Sequence, residues 1–232
     1  MYFDPTYLLF MAPGLLLSMW ASFRVKSTFA HYNQVMSRSG LTGADAAREL
    51  LRRQNIRDVN VEPVDGFLSD HYDPGSKTLR LSPDVFHGRS LSALGVAAHE
   101  AGHAIQHAHG YGPLAFRSLV VRPAMFGSNF GMAIMGVGLM THLSGMVWVG
   151  VVLFSAFVVF TLVTLPVEFN ASSRAVSALV DTNIITMAEA PDTKKVLDAA
   201  ALTYVAAAIS AITQLLYFLL RSGILGGREN ED

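Results

Sequence analysis

Half of this 232-residue chain is hydrophobic (51%) and only 15% is charged, well short of the roughly 25% typical of soluble domains, which points to a membrane protein. A net charge of −1 argues against a broad nucleic-acid surface. The absence of cysteine excludes disulfides, thiolate ligands and a cysteine nucleophile, so any metal must be held by His, Asp or Glu.

The first apolar run, residues 7–23, follows Asp4 with no basic segment before it. It lacks the charged start of a signal peptide and reads as a retained anchor. Thr42, with Asp45 three residues on, opens a helix whose apolar face is Ala46, Ala47, Leu50 and Leu51. Arg48, Arg52 and Arg53 lie on its other side, facing solvent or anionic lipid. Val59–Val61 is a short extended piece that stops before Pro63. Asp73-Pro74-Gly75-Ser76 is a turn, and Gly66–Tyr72 and Lys77–Ser82 on either side of it form a β-hairpin. Thr78–Leu81 is expected at the sheet edge. There an extended peptide could add as a further strand, or the sheet could be purely structural.

Ser90 can cap a helix from about Leu91 to His109, stopped by Gly110. Within it stands His99-Glu100-Ala101-Gly102-His103. Residues four apart share a helical face, so His99 and His103 can grip one zinc ion, with Glu100 placed as general base toward a water there. A buried His-Glu-His set without metal would carry a poorly compensated charge. His107 continues the same face, but it would lie about 12 Å from His99, too far to share one ion. It and His109 read as polar-face or supporting histidines.

Residues 123–141 and 146–166 are each long enough to span a bilayer core, for which about 20 apolar residues suffice. Only His142–Gly145 joins them, so they form an antiparallel hairpin. Gly127 and Gly131 form a G-x-x-x-G that is either a dimerisation face or, the preferred reading, a place where a helix of the same chain packs closely, and Asn129 reads as a polar group between helices. A fourth run, residues 199–220, contains Thr203, Ser210, Thr213 and Gln214. It spans, or it lies as a buried or surface helix. The joining loop has no Lys or Arg, whereas residues 24–122 carry Arg24, Lys26, Arg48, Arg52, Arg53, Arg117 and Arg122. The positive-inside rule places that segment in the cytoplasm, although four spans then leave Arg221 and Arg228 outside.

Catalytic zinc usually has three protein ligands. Glu168, just past the third run, is the stronger candidate for the third, because two spans return the chain to the side of His103. The competing reading is an interfacial carboxylate paired with Arg174.

Asp70-His71-Tyr72-Asp73-Pro74, Leu79–Ser82, Ala97–Gln106 and Pro166–Ala175 together resemble the bacterial neutral zinc metallopeptidases of the YugP type, over nearly the whole chain. The resemblance implies zinc on His99, His103 and Glu168, a catalytic Glu100 and a bacterial inner-membrane location. The chain is more distantly similar to the HtpX and CAAX-protease group. That group has an aspartate four residues after its glutamate ligand, where this chain has Ser172. Asn170, Ser172 or Asp181 could instead steady an imidazole. The oxyanion donor stays open among His71, Tyr72 and Arg174, each of which could equally be structural.

The expected fold is a mainly α membrane protein: four transmembrane helices with a small α+β, zincin-like cytoplasmic subdomain and a β-hairpin before the H-E-x-x-H helix. In chain order, the cytoplasmic segments are 24–122 and 167–198. The expected function is a zinc endopeptidase with one Zn2+ per chain, acting on proteins or peptides, including membrane proteins, at the cytoplasmic membrane surface. The rival is a zinc-binding, non-proteolytic membrane scaffold or regulator.

Overall fold

The computed structural model describes residues 5–222. Asp4 and Arg228, which entered the charge argument, lie outside them. In chain order the elements are α1 (Pro5–Tyr32), α2 (Gly43–Arg53), β1 (Asn60–Pro63), β2 (His71–Asp73), β3 (Thr78–Leu81), the single turn α3 (Pro83–Phe86) and α4 (Leu91–Ala108). Then come α5 (Gly112–Phe126), a π-helical turn (Gly127–Gly131), α6 (Met132–Met140), α7 (Ser144–Asp181) and α8 (Ala190–Arg221).

Among the described residues, four helical stretches are long and apolar enough to cross a membrane: Pro5–Tyr32, Gly112–Met140, Ser144–Asp181 and Ala190–Arg221. The fourth run is thus part of one continuous 32-residue helix. Large apolar side chains such as Leu9, Leu15, Phe23, Leu119, Met125 and Val152 are exposed along these helices. Water would penalise such surface, and lipid would not.

The chain divides into two units. Within the described residues, the first comprises residues 5–20, 116–165 and 203–222. Its core is Met135, Val147, Val151, Phe154, Ala211 and Phe218. The G-x-x-x-G works within the chain. A Cβ at Gly127 would collide with the Leu153 carbonyl oxygen, and one at Gly131 would lie 2.9 Å from that of Gly150. Without side chains at these points, two helix backbones meet directly. Asn129 is exposed rather than enclosed between helices.

The second unit comprises residues 21–115 and 166–202. Thr42 caps α2 by accepting from the Asp45 amide at 3.1 Å. The buried face of α2, including Ala46, Ala47 and Leu50, packs with Leu94, Ala97, Ala98 and Ala101 of α4 and with Ala175 and Leu179 of α7. The sheet order is β1-β3-β2, with β1 parallel and β2 antiparallel to β3. The hairpin expected between β2 and β3 is present, but Thr78–Leu81 is the central strand and not an edge. The reason lies in β1: Val61 stands opposite Leu79, and both belong to or pack on the core around α4. Leu79 and Leu81 are fully buried, each contributing on the order of 1.5–3 kcal/mol.

Candidate metal centre

Ser90 starts α4, its hydroxyl accepting from the Ala93 amide at 3.1 Å and donating to Asn33 Oδ1 at 2.8 Å. Beyond the helix the chain turns at Gly110, whose φ of +62° is one that glycine adopts freely. Nearly every α4 position between Leu91 and Gln106 is buried. A helix so enclosed holds its side chains in fixed directions, which a metal site requires.

His99 and His103 stack one turn apart on α4, with ring centroids 4.8 Å apart and planes at 83°. α7 runs without a break through Pro166 and delivers Glu168 to them. Glu168 Oε2 lies 3.1 Å from His99 Nε2 and 3.5 Å from His103 Nε2. Among the described residues these three form a group whose potential ligand atoms all lie within 4.8 Å of one another. Glu168 is only 1% exposed and His103 7%.

The donor set suits a divalent ion of zinc's kind. It offers two imidazole nitrogens and one carboxylate, the His2Glu pattern of catalytic zinc. Ligands about 2.0–2.1 Å from a tetrahedral zinc lie roughly 3.3 Å from one another, close to both measured separations. The Nε2 atoms face inward because each Nδ1 is engaged behind. His99 Nδ1 meets Ser172 Oγ at 3.1 Å, and His103 Nδ1 meets Gln106 Oε1 at 3.0 Å.

Glu100 is half-buried, and its negative charge acts on His103 and on Asp70. Burial opposes protonation of His103. The Glu168 hydrogen bond and the charges of Glu100 and Glu168 outweigh it and hold the imidazole pKa above its ordinary value. Asp70, just before β2, accepts from the Ser82 amide at 2.8 Å and from the Ser82 hydroxyl. Burial still raises its pKa above the usual carboxylate range.

The remaining candidates are engaged elsewhere. Tyr72 Oη shares a 2.8 Å hydrogen bond with His107 Nδ1 at the far end of α4. His71 is exposed, with its Nδ1 2.8 Å from the Ser69 carbonyl oxygen. Arg174 donates from Nε to Asn170 Oδ1 at 2.7 Å and lies over the Tyr111 ring. Asp181 is the last residue of α7, and His109 ends α4. Sequence reasoning missed Gln106, which is completely buried. Its signal was an amide three residues beyond His103, between the apolar Ile105 and His107.

A mostly buried His2Glu cluster on two packed helices, with Glu100 next to His99 in the chain, is a site of the class that could hold a metal ion. The chain belongs to the family described as "Putative neutral zinc metallopeptidase", whose pattern matches residues 7–223. It is 46% identical over 213 residues to "Putative membrane protease YugP" of Bacillus subtilis (strain 168), an alignment covering 92% of this chain and 94% of that protein. No solved structure matches it.

Proposed function

We propose that this protein is a membrane-embedded zinc endopeptidase that cleaves proteins or peptides, membrane proteins among them, at the cytoplasmic face of a bacterial inner membrane. The observation that carries this reading is the convergence of His99, His103 and Glu168, with Glu100 next to the first histidine on the same helix. His99, His103 and Glu168 would hold one zinc ion, and the ion when bound would supply Lewis acidity and make an attacking water acidic near neutral pH.

Glu100 takes the proton of the attacking water and passes it to the leaving amine. The enclosed faces of α4 and α7 hold both imidazoles in one orientation through the reaction. A substrate strand cannot add to β3, which is flanked on both sides. On β1 the Val61 carbonyl already accepts from Arg48, which leaves β2 as the edge for an extended peptide. The cytoplasmic placement rests on Arg24, Lys26, Arg48, Arg52, Arg53, Arg117 and Arg122, against a 142–145 loop without Lys or Arg.

The test is Glu100→Gln in purified full-length protein. Zinc content should stay at one per chain while casein cleavage and self-cleavage stop. An active variant removes Glu100 as the base. A wild type that holds zinc but cleaves neither substrate is a metal-binding scaffold instead.

A further inference from the structure

We infer that Gln106 is the positioning residue for His103, and that a one-way chain of hydrogen bonds anchored on Arg174 and the Val167 carbonyl fixes which nitrogen of His103 faces Glu168. The inference rests on His103 being a metal ligand.

The argument starts from groups whose polarity cannot change. An arginine Nε–H only donates, so the Asn170 atom 2.7 Å from Arg174 Nε must be the amide oxygen. That same Oδ1 lies 2.9 Å from the Gln106 side chain, which must therefore present its NH2. The backbone carbonyl of Val167, 3.0 Å from the same nitrogen, can only accept and demands the same orientation. Two independent anchors thus set the Gln106 amide one way round. Its oxygen is left facing His103 Nδ1 at 3.0 Å, and an amide oxygen can only accept. Gln106 thus holds a proton on His103 Nδ1, which leaves Nε2 as the nitrogen whose lone pair a metal would take, the form a metal ligand needs.

The chain crosses between the two helices that make the site. Gln106 and His103 belong to α4, while Val167, Asn170 and Arg174 belong to α7 with Glu168. Gln106 therefore ties the orientation of one ligand to the helix that carries another. It is fully buried, so water does not compete for these bonds. His99 has no such device: its Nδ1 meets the Ser172 hydroxyl, which can donate or accept and so leaves the tautomer open. The two histidines are held unequally, and this assigns Arg174 to the positioning network and away from the oxyanion.

The experiment uses the full-length protein in detergent and zinc itself as the probe, in competition with a chromophoric chelator. Gln106→Met keeps the side-chain shape and removes both ends of the relay. It should weaken zinc binding about 10–100-fold, the usual cost of losing a partner behind a ligand. Asn170→Asp retains an acceptor for both of its bonds and should bind close to wild type, whereas Asn170→Leu should follow Gln106→Met. If Gln106→Met does not fold, the Asn170 pair decides alone. Equal affinities for Asp and Leu overturn the proposal, as does a folded Gln106→Met that binds like wild type.

A second readout needs no zinc. In metal-free Glu168→Ala protein labelled with 15N-histidine, at alkaline pH, the competing carboxylate is gone and His103 should appear as the Nδ1–H tautomer. A Glu168→Ala protein dominated by the Nε2–H form overturns the inference. If zinc does not bind but the tautomer is as stated, the metal reading fails and the positioning role stands.

Discussion

Gly102 of α4 lies against Ala171 of α7 so closely that a Cβ on the glycine would be 3.0 Å from the Ala171 carbonyl oxygen. This approach is what brings Glu168, three residues earlier on α7, to His99 and His103 on either side of Gly102. The two central positions of H-E-x-x-H, Ala101 and Gly102, are both small and buried, so the site depends on the spacing residues as well as the ligands.

Gly102→Ala tests that spacing. Alanine favours a helix by about 0.5–1 kcal/mol over glycine, but here the new methyl meets a backbone oxygen that cannot rotate aside. Stability should change little or fall. Gly102→Val should cost about 1–3 kcal/mol as α7 is pushed away, with zinc affinity falling in both variants. Thermal melts with a zinc titration check this; a Gly102→Val protein with wild-type affinity would remove the spacing argument.

Glu168→Ala removes the only carboxylate of the three-residue cluster. Elemental analysis of the purified variant should show zinc well below one per chain, with His99 and His103 left as two ligands. Unchanged zinc content and affinity would take Glu168 out of the ligand set and return it to a structural role.

Much of this site was readable in the chain itself. The i, i+4 histidines, the capping Ser90 and the apolar surround required nothing beyond helical periodicity, and the even number of apolar runs between His103 and Glu168 pointed to the third ligand. What escaped was decided by distant partners. β3 became central because Asn60–Pro63, eighteen positions upstream in register, pairs alongside it, and no local alternation encodes a parallel partner. Gln106 looked like one more polar residue near the end of α4 because its bonds run to Val167 and Asn170, 61 and 64 residues away. Tyr72 and His71 were oxyanion candidates, yet their hydrogen bonds turn to His107 and Ser69.

Asp70 gives a pH signature. Its pKa is raised in the fold, chiefly by burial, with the Glu100 charge adding to the effect and the Ser82 bonds opposing it. An acid with a raised folded pKa binds its proton more tightly when folded. Its contribution therefore favours the fold at low pH and is lost as pH rises from the unfolded value of about 3.9 through the raised folded one. Asp70→Asn has no such loss and can still accept from the Ser82 amide. The melting temperature of Asp70→Asn minus that of wild type should grow as pH rises across that window. A difference that stays flat with pH would show that burial of this carboxyl carries no penalty.

Ser172 supplies the last prediction. Its hydroxyl is the partner of His99 Nδ1 at 3.1 Å, in the place where more distantly similar enzymes have an aspartate. Ser172→Ala leaves that nitrogen without its partner and should weaken zinc binding, by about tenfold at the low end for such losses. Ser172→Asp puts a carboxylate behind the imidazole, which fixes the Nδ1–H tautomer and makes Nε2 a stronger donor, so zinc affinity should equal or exceed that of wild type. Chelator competition on both variants, with metal-free melts to confirm the fold, separates the cases. Equal weakening by Ala and Asp would mean that the serine matters for packing between α4 and α7 and not for the direction in which His99 points.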